Sequence, residues 1–171
     1  MVDVLAEHKI PIGPEITEWR SGLDVELPIR IPGMVAWLNW NGFGARAKSA
    51  DDGHDGFDFA AYLTIRGQQP QCKIILGLPG ETPVRAIANG WVEMADLFRD
   101  RCPSGTTYYG SISIIHGSRE TGISSEYTHV IPTVKYGQEV MKGEIIGKLH
   151  WGKGDLTHLH LSLLNSSRAL N

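Results

Sequence analysis

The chain has 171 residues, 42% of them hydrophobic and 20% charged, which fits one soluble globular domain long enough to bury a sizeable core. Sixteen Lys and Arg stand against nineteen Asp and Glu, a formal net charge of −3. A nucleic-acid partner is not expected, because binding a phosphate backbone takes clustered Lys and Arg, and no apolar run approaches the ~18 residues of a membrane span.

In chain order, the opening Met1-Val2-Asp3-Val4-Leu5-Ala6-Glu7-His8-Lys9 lacks a basic and then apolar pattern, so no secretory signal is expected there. Residues 10–14 and 27–32 are extended and broken by proline. Trp19, Trp37 and Trp40 are three of the five tryptophans, and they read as packing at a sheet edge rather than as an aromatic wall for a substrate. A turn signal over 39–44 leads into Gly53-His54-Asp55-Gly56-Phe57-Asp58-Phe59. His54 and Asp58 stand four apart, but Gly53 and Gly56 interrupt the segment, and glycine costs a helix about 1 kcal/mol relative to alanine. A glycine-shaped loop entering a strand at Phe57 is expected instead, with imidazole and carboxylate converging. These are ligands that zinc accepts.

Residues 73–76 read as a short strand and 92–99 carry a weak helical period. Residues 109–115 alternate cleanly and form the clearest strand. Another short strand follows a glycine turn over 140–149. In the last expected strand, His158, His160 and Ser162 alternate with Leu159, Leu161 and Leu163. Successive strand side chains point to opposite faces, so leucines face a core and histidines face something polar. One imidazole is then expected as a ligand and the other for acid–base work. Twenty Gly and nine Pro suit strands joined by turns. Cys72 and Cys102 do not have zinc-site spacing. One disulfide or two buried thiols both remain open.

The ordered motifs resemble the lysostaphin-type (LytM-type) zinc metallopeptidases, with a duplicated-hybrid-motif, glucose-permease-like β fold. His-x-Gly-x-Asp at His54 to Asp58 and His-Leu-His at His158 to His160 carry the resemblance. So do Pro83-Val84-Arg85-Ala86 with Gly90-Trp91-Val92, Ser113-Ile114-Ile115-His116-Gly117, Tyr127-Thr128-His129, and the glycine-spaced run over 134–147. It covers roughly residues 46–164.

The resemblance implies a mainly β chain of antiparallel sheets with little helix, forming an open groove. Loops near 66–80, 96–107 and 117–126 would stand on the rim. Residues 46–165 would be the peptidase domain, 1–45 an extension packed on it, and 166–171 a polar tail. His54, Asp58 and His160 would hold Zn²⁺, with His129 and His158 catalytic. Arg46, Tyr127 and His150 would contact substrate, and His116 reads as structural. The segments 59–78 and 95–107 look like insertions relative to the family, each carrying one cysteine.

The implied activity is a zinc-dependent endopeptidase acting on peptide cross-links or stem peptides of peptidoglycan through a metal-activated water. An extracellular, periplasmic or cell-wall location goes with it, and a monomer is assumed. The alternative is a metal-free relative that binds and regulates cell-wall amidases, although such relatives have lost ligands that this chain keeps. A different zinc hydrolase on the same strands is a third reading.

Overall fold

The computed structural model describes residues 24–38, 56–66, 71–102, 105–117, 122–150 and 157–165. Among them are eleven strands and no helix, so the expectation of a mainly β, antiparallel chain holds. Glycine and proline divide much of the chain into short segments that suit strands and turns, and the long uninterrupted β6 is held as strand by its pairing with β7.

Three strands form a small sheet. β1 (Met34–Leu38) pairs with β3 (Ala61–Arg66), which pairs with β4 (Gln71–Leu76), all antiparallel. The larger sheet has eight strands. β2 (Gly56–Phe59), β11 (Leu159–Asn165), β8 (Ile123–Pro132), β7 (Gly105–His116), β6 (Gly90–Cys102) and β9 (Glu139–Val140) lie side by side in that order. β10 (Ile145–Leu149) joins β8 and carries β5 (Pro83–Arg85) on its other side.

The register of the large sheet separates two chemistries. One row across five strands runs Phe57, Leu161, Tyr127, Ile112, Ala95. The adjacent row runs Asp58, His160, Thr128, Ser111, Asp96. Directly paired residues share a face and neighbouring rows face opposite ways. The first row therefore backs the core, where Tyr127, Ile112, Ile114, Val130, Leu149 and Leu159 are fully buried. The second row makes a polar face, and Asp58 and His160 lie on it.

Residues 24–38 pack on the rest. Ile29 is fully buried in the same core, and the Glu26 and Arg85 amides donate to the Ile87 and Pro28 carbonyls. Trp37 meets Phe59 and Tyr62 edge to face, at centroid distances of 5.0 and 5.9 Å, so it is a packing residue, set against rings of β2 and β3. Trp19, Trp40 and the turn over 39–44 lie outside the described residues.

Two expectations are corrected. The weak helical period over 92–99 is strand, within β6. Its apolar residues alternate closely enough to face a sheet, and pairing with β7 overrides a weak local preference. The loops expected near 66–80 and 96–107 are largely strand as well. β4 occupies 71–76, and 96–107 belongs to a long hairpin whose register runs from Trp91↔Ile115 to Cys102↔Gly105. The side chains of Cys72 and Cys102 lie outside what is described.

Candidate active site

Asp58 sits on β2 and His160 directly opposite it on β11. The pairing brings a carboxylate and an imidazole together across 102 residues of sequence. His160 Nδ1 donates to Asp58 Oδ1 at 2.9 Å, and His158 Nε2 lies 3.8 Å from the same oxygen. On the other side of the ring, His160 Nε2 is 3.0 Å from Ser162 Oγ. Gly56 makes room for this. A Cβ there would lie 2.5 Å from the Leu161 carbonyl, and 2.8 Å from both His160 Nε2 and Ser162 Oγ.

His129 reaches the site by a different device. β8 pairs with β11 up to Thr128 and with β10 from Val130 onward. On its β7 side, Gly110 and Ser111 are consecutive while their partners Val130 and Thr128 skip one residue. His129 is that extra residue, and its φ is +66°. A bulge of this kind re-aims a side chain out of the ladder's alternation. Here it puts the His129 ring 4.5 Å from the His158 ring, tilted by 58°.

The electrostatics follow from that placement. His129 is held neutral, its pKa lowered to about 4 by burial first and then by the neighbouring His158 and His160, with Asp58 pulling the other way. His150 adds slightly to the depression, and its amide donates to the His129 carbonyl at 3.0 Å. His129, His150, His158, His160 and Asp58 are thus brought together from four segments. Arg46 and His54 lie outside the described residues.

Tyr127 is placed elsewhere. It has no exposed surface and so has nothing to offer a substrate. Its side chain points to the core side, and its hydroxyl accepts from the Ile87 amide at 2.9 Å. Behind it runs a buried chain of polar groups. His116 Nδ1 donates to the Asn89 carbonyl at 2.8 Å. Burial lowers the His116 pKa, which leaves Nε2 as an acceptor for the Ser125 hydroxyl at 2.7 Å. The Tyr127 hydroxyl, 3.1 Å from Ser125 Oγ, completes the chain by donating to it. Burial also pushes the Tyr127 pKa up to about 12, so the phenol stays a phenol. His116 is structural, as expected.

In the sequence Gly56 shapes the loop and Ser162 shares the histidine face, but their contact with the His160 ring is seen only in the fold. The available signal was Ser162's place two residues after His160, on the same strand face. Among the described residues no group of three metal-ligating side chains is assembled. Asp58 and His160 nevertheless offer an oxygen and a nitrogen at one point, and with His54 the donors would be two imidazoles and a carboxylate. That is a set zinc accepts at a catalytic site with one position open.

Solved structures share this fold. A zinc-containing peptidase from Vibrio cholerae is 20% identical, with a TM-score of 0.55 over 85% of this chain and 37% of its own. The catalytic domain of the antimicrobial peptidase lysostaphin from Staphylococcus simulans is 22% identical, with a TM-score of 0.51 over 77% of this chain and 82% of that domain. The catalytic domain of the prophage-encoded M23 protein EnpA from Enterococcus faecalis, solved as a point mutant, is 20% identical, with a TM-score of 0.50 over 80% of this chain and 85% of that domain. The chain therefore spans little more than a third of the Vibrio protein's length, though most of the two catalytic domains. No curated protein matches it. The model of peptidase family M23 matches residues 72–171, more than half of the sequence. The chain belongs to peptidase family M23.

Proposed function

We propose that this chain is a zinc-dependent endopeptidase that hydrolyses peptide cross-links or stem peptides of peptidoglycan. The observation that carries the reading is the Asp58–His160 pair, with His158 Nε2 3.8 Å from the same carboxylate oxygen and the neutral His129 ring against His158. Asp58 and His160, with His54, would hold the ion. When bound, zinc would supply a Lewis acid that polarises the scissile carbonyl and makes water a stronger acid.

The protein's own groups do the rest. His129, kept neutral by burial and by its histidine neighbours, can take a proton from the attacking water near pH 7. His158 stands beside it to donate to the negative charge that develops on the carbonyl oxygen. His150 and Arg46 are assigned to substrate contact. The membership in a peptidase family and the likeness of the fold to lysostaphin's catalytic domain support a peptide of the cell wall as substrate. A place outside the cytoplasm follows from that substrate.

The test is incubation with purified peptidoglycan sacculi, with and without a chelator, followed by mass analysis of the released muropeptides. New peptide termini that disappear with the chelator are expected. Intact sacculi in the presence of zinc would remove the peptidoglycan-peptidase reading and leave the amidase-regulating one and a zinc hydrolase of another substrate.

A further inference from the structure

We infer that Ser162, in the slot left open by Gly56, is a positioning residue that turns His160 so that Nδ1 faces the metal. The inference rests on the zinc reading of the site. It adds a residue outside the ligands and the catalytic pair.

The geometry fixes which nitrogen is which. His160 Nδ1 points at Asp58 Oδ1, 2.9 Å away, and Nε2 points the other way, to Ser162 Oγ at 3.0 Å. Ser162 is 2% exposed, so its hydroxyl has almost no access to water and must find its partner within the protein. Ser162 and Gly56 are direct partners in the β2–β11 ladder. With no side chain at Gly56, the imidazole edge and the hydroxyl can share that space. The 2.8 Å approach of an added Cβ to both atoms shows how little room remains.

A hydroxyl is suited to this place because it both donates and accepts. In the neutral metal-free ring, the proton that serves Asp58 is on Nδ1, so Nε2 is an acceptor to which the Ser162 O–H can donate. With metal, the Nδ1 lone pair must be free. The ring proton then leaves Nδ1 and one is taken up at Nε2, so the imidazole stays neutral. Ser162 Oγ now accepts from Nε2–H. One side chain thus holds the ring at the same angle in both forms. A carboxylate could serve only the loaded form, and an alanine neither. Partners that fix the far nitrogen of a ligating imidazole typically change metal affinity by ~10–100-fold when removed.

The experiment compares wild type, Ser162→Ala and Ser162→Thr by competition for zinc against a chelator of known affinity. Long-range ¹H–¹⁵N spectra of histidine-labelled wild-type protein are recorded with and without zinc. Ser162→Ala should bind zinc about 10–100-fold more weakly, and Ser162→Thr, which keeps the hydroxyl, should recover most of the loss. In wild type, the His160 ring proton should sit on Nδ1 without zinc and on Nε2 with it. Unchanged zinc affinity in Ser162→Ala, Thr as weak as Ala, or a loaded His160 still protonated on Nδ1 would each overturn the inference while leaving the zinc site standing. A wild type that takes up no zinc would overturn both.

Discussion

The rings of His129 and His158 lie 4.5 Å apart, although one residue is the extra member of a bulge in β8 and the other precedes the first residue of β11. Neither residue is part of the carboxylate–imidazole pair that joins β2 to β11. Removing either ring should therefore spare the metal. His129→Ala and His158→Ala are expected to keep a full zinc equivalent while peptidoglycan hydrolysis falls by ~10²–10⁴-fold. Zinc content measured beside hydrolysis rate checks this, and loss of zinc in His158→Ala would reverse the assignment.

The opposite pattern is expected for the three proposed ligands. His54→Ala, Asp58→Ala and His160→Ala should each lose zinc on elemental analysis and melt at a lower temperature than the loaded wild type, because the ion binds only the folded chain. Full occupancy in any of the three would strike that residue from the set.

The left-handed backbone at His129, φ +66°, gives a stability prediction independent of catalysis. Glycine adopts that conformation freely, whereas a residue with a Cβ loses roughly 1–2 kcal/mol there and a β-branched one fits worst. His129→Gly should be more stable than His129→Val by about that amount in urea unfolding. Equal stabilities would mean that the bulge relaxes.

The pH dependence of His129 follows from its depressed pKa. In the unfolded chain the imidazole titrates near 6.5, and in the folded metal-free protein near 4. Between those values the unfolded state binds a proton that the folded state does not. This contribution therefore leaves stability unchanged above about 6.5, lowers it as pH falls toward 4, and levels off below. An NMR titration of the metal-free protein should show His129 neutral at about pH 5.5. A midpoint near the ordinary value of about 6.5 would contradict its buried, histidine-flanked setting.

Tyr127 and its partners make a prediction about the scaffold. Tyr127→Phe removes the acceptor of the buried Ile87 amide and one of the two partners of Ser125, whose bond to His116 stays. Leaving such an amide unpaired costs about 1–3 kcal/mol, readable as a lower urea midpoint with unchanged zinc affinity. Loss of zinc would show that the core face and the site are coupled.

Much of this was legible in the sequence because it depends on alternation. The leucines and histidines over 158–163 give the two faces of β11, and Asp58 falls on β2 where the glycine-flanked motif put it. What escaped is what alternation cannot express. His129 is aimed by a bulge, and a bulge depends on the register of three strands, not on the residue at its apex. Tyr127 has the composition of a binding residue, and only the pairing with Ile112 and Leu161 shows that its side chain faces the core. Within the β6–β7 hairpin, residues 109–115 read as strand from alternation alone, whereas 92–107 reads as a weak helix and a loop because its charged outer half suits either. Two long strands settled its conformation by pairing with each other.

β2 has four residues and lies at the margin of the large sheet, where β11 is its ladder partner among the described residues. Asp58 belongs to that outermost strand and His160 to the next one inward. An ion shared between them would work as a clasp on the sheet's border, and taking it away should let the border open before the interior does. Amide exchange in the stripped protein would then begin at β2, with Tyr127 and Ile112 still protected. Loss of the metal would announce itself as local fraying well short of global unfolding.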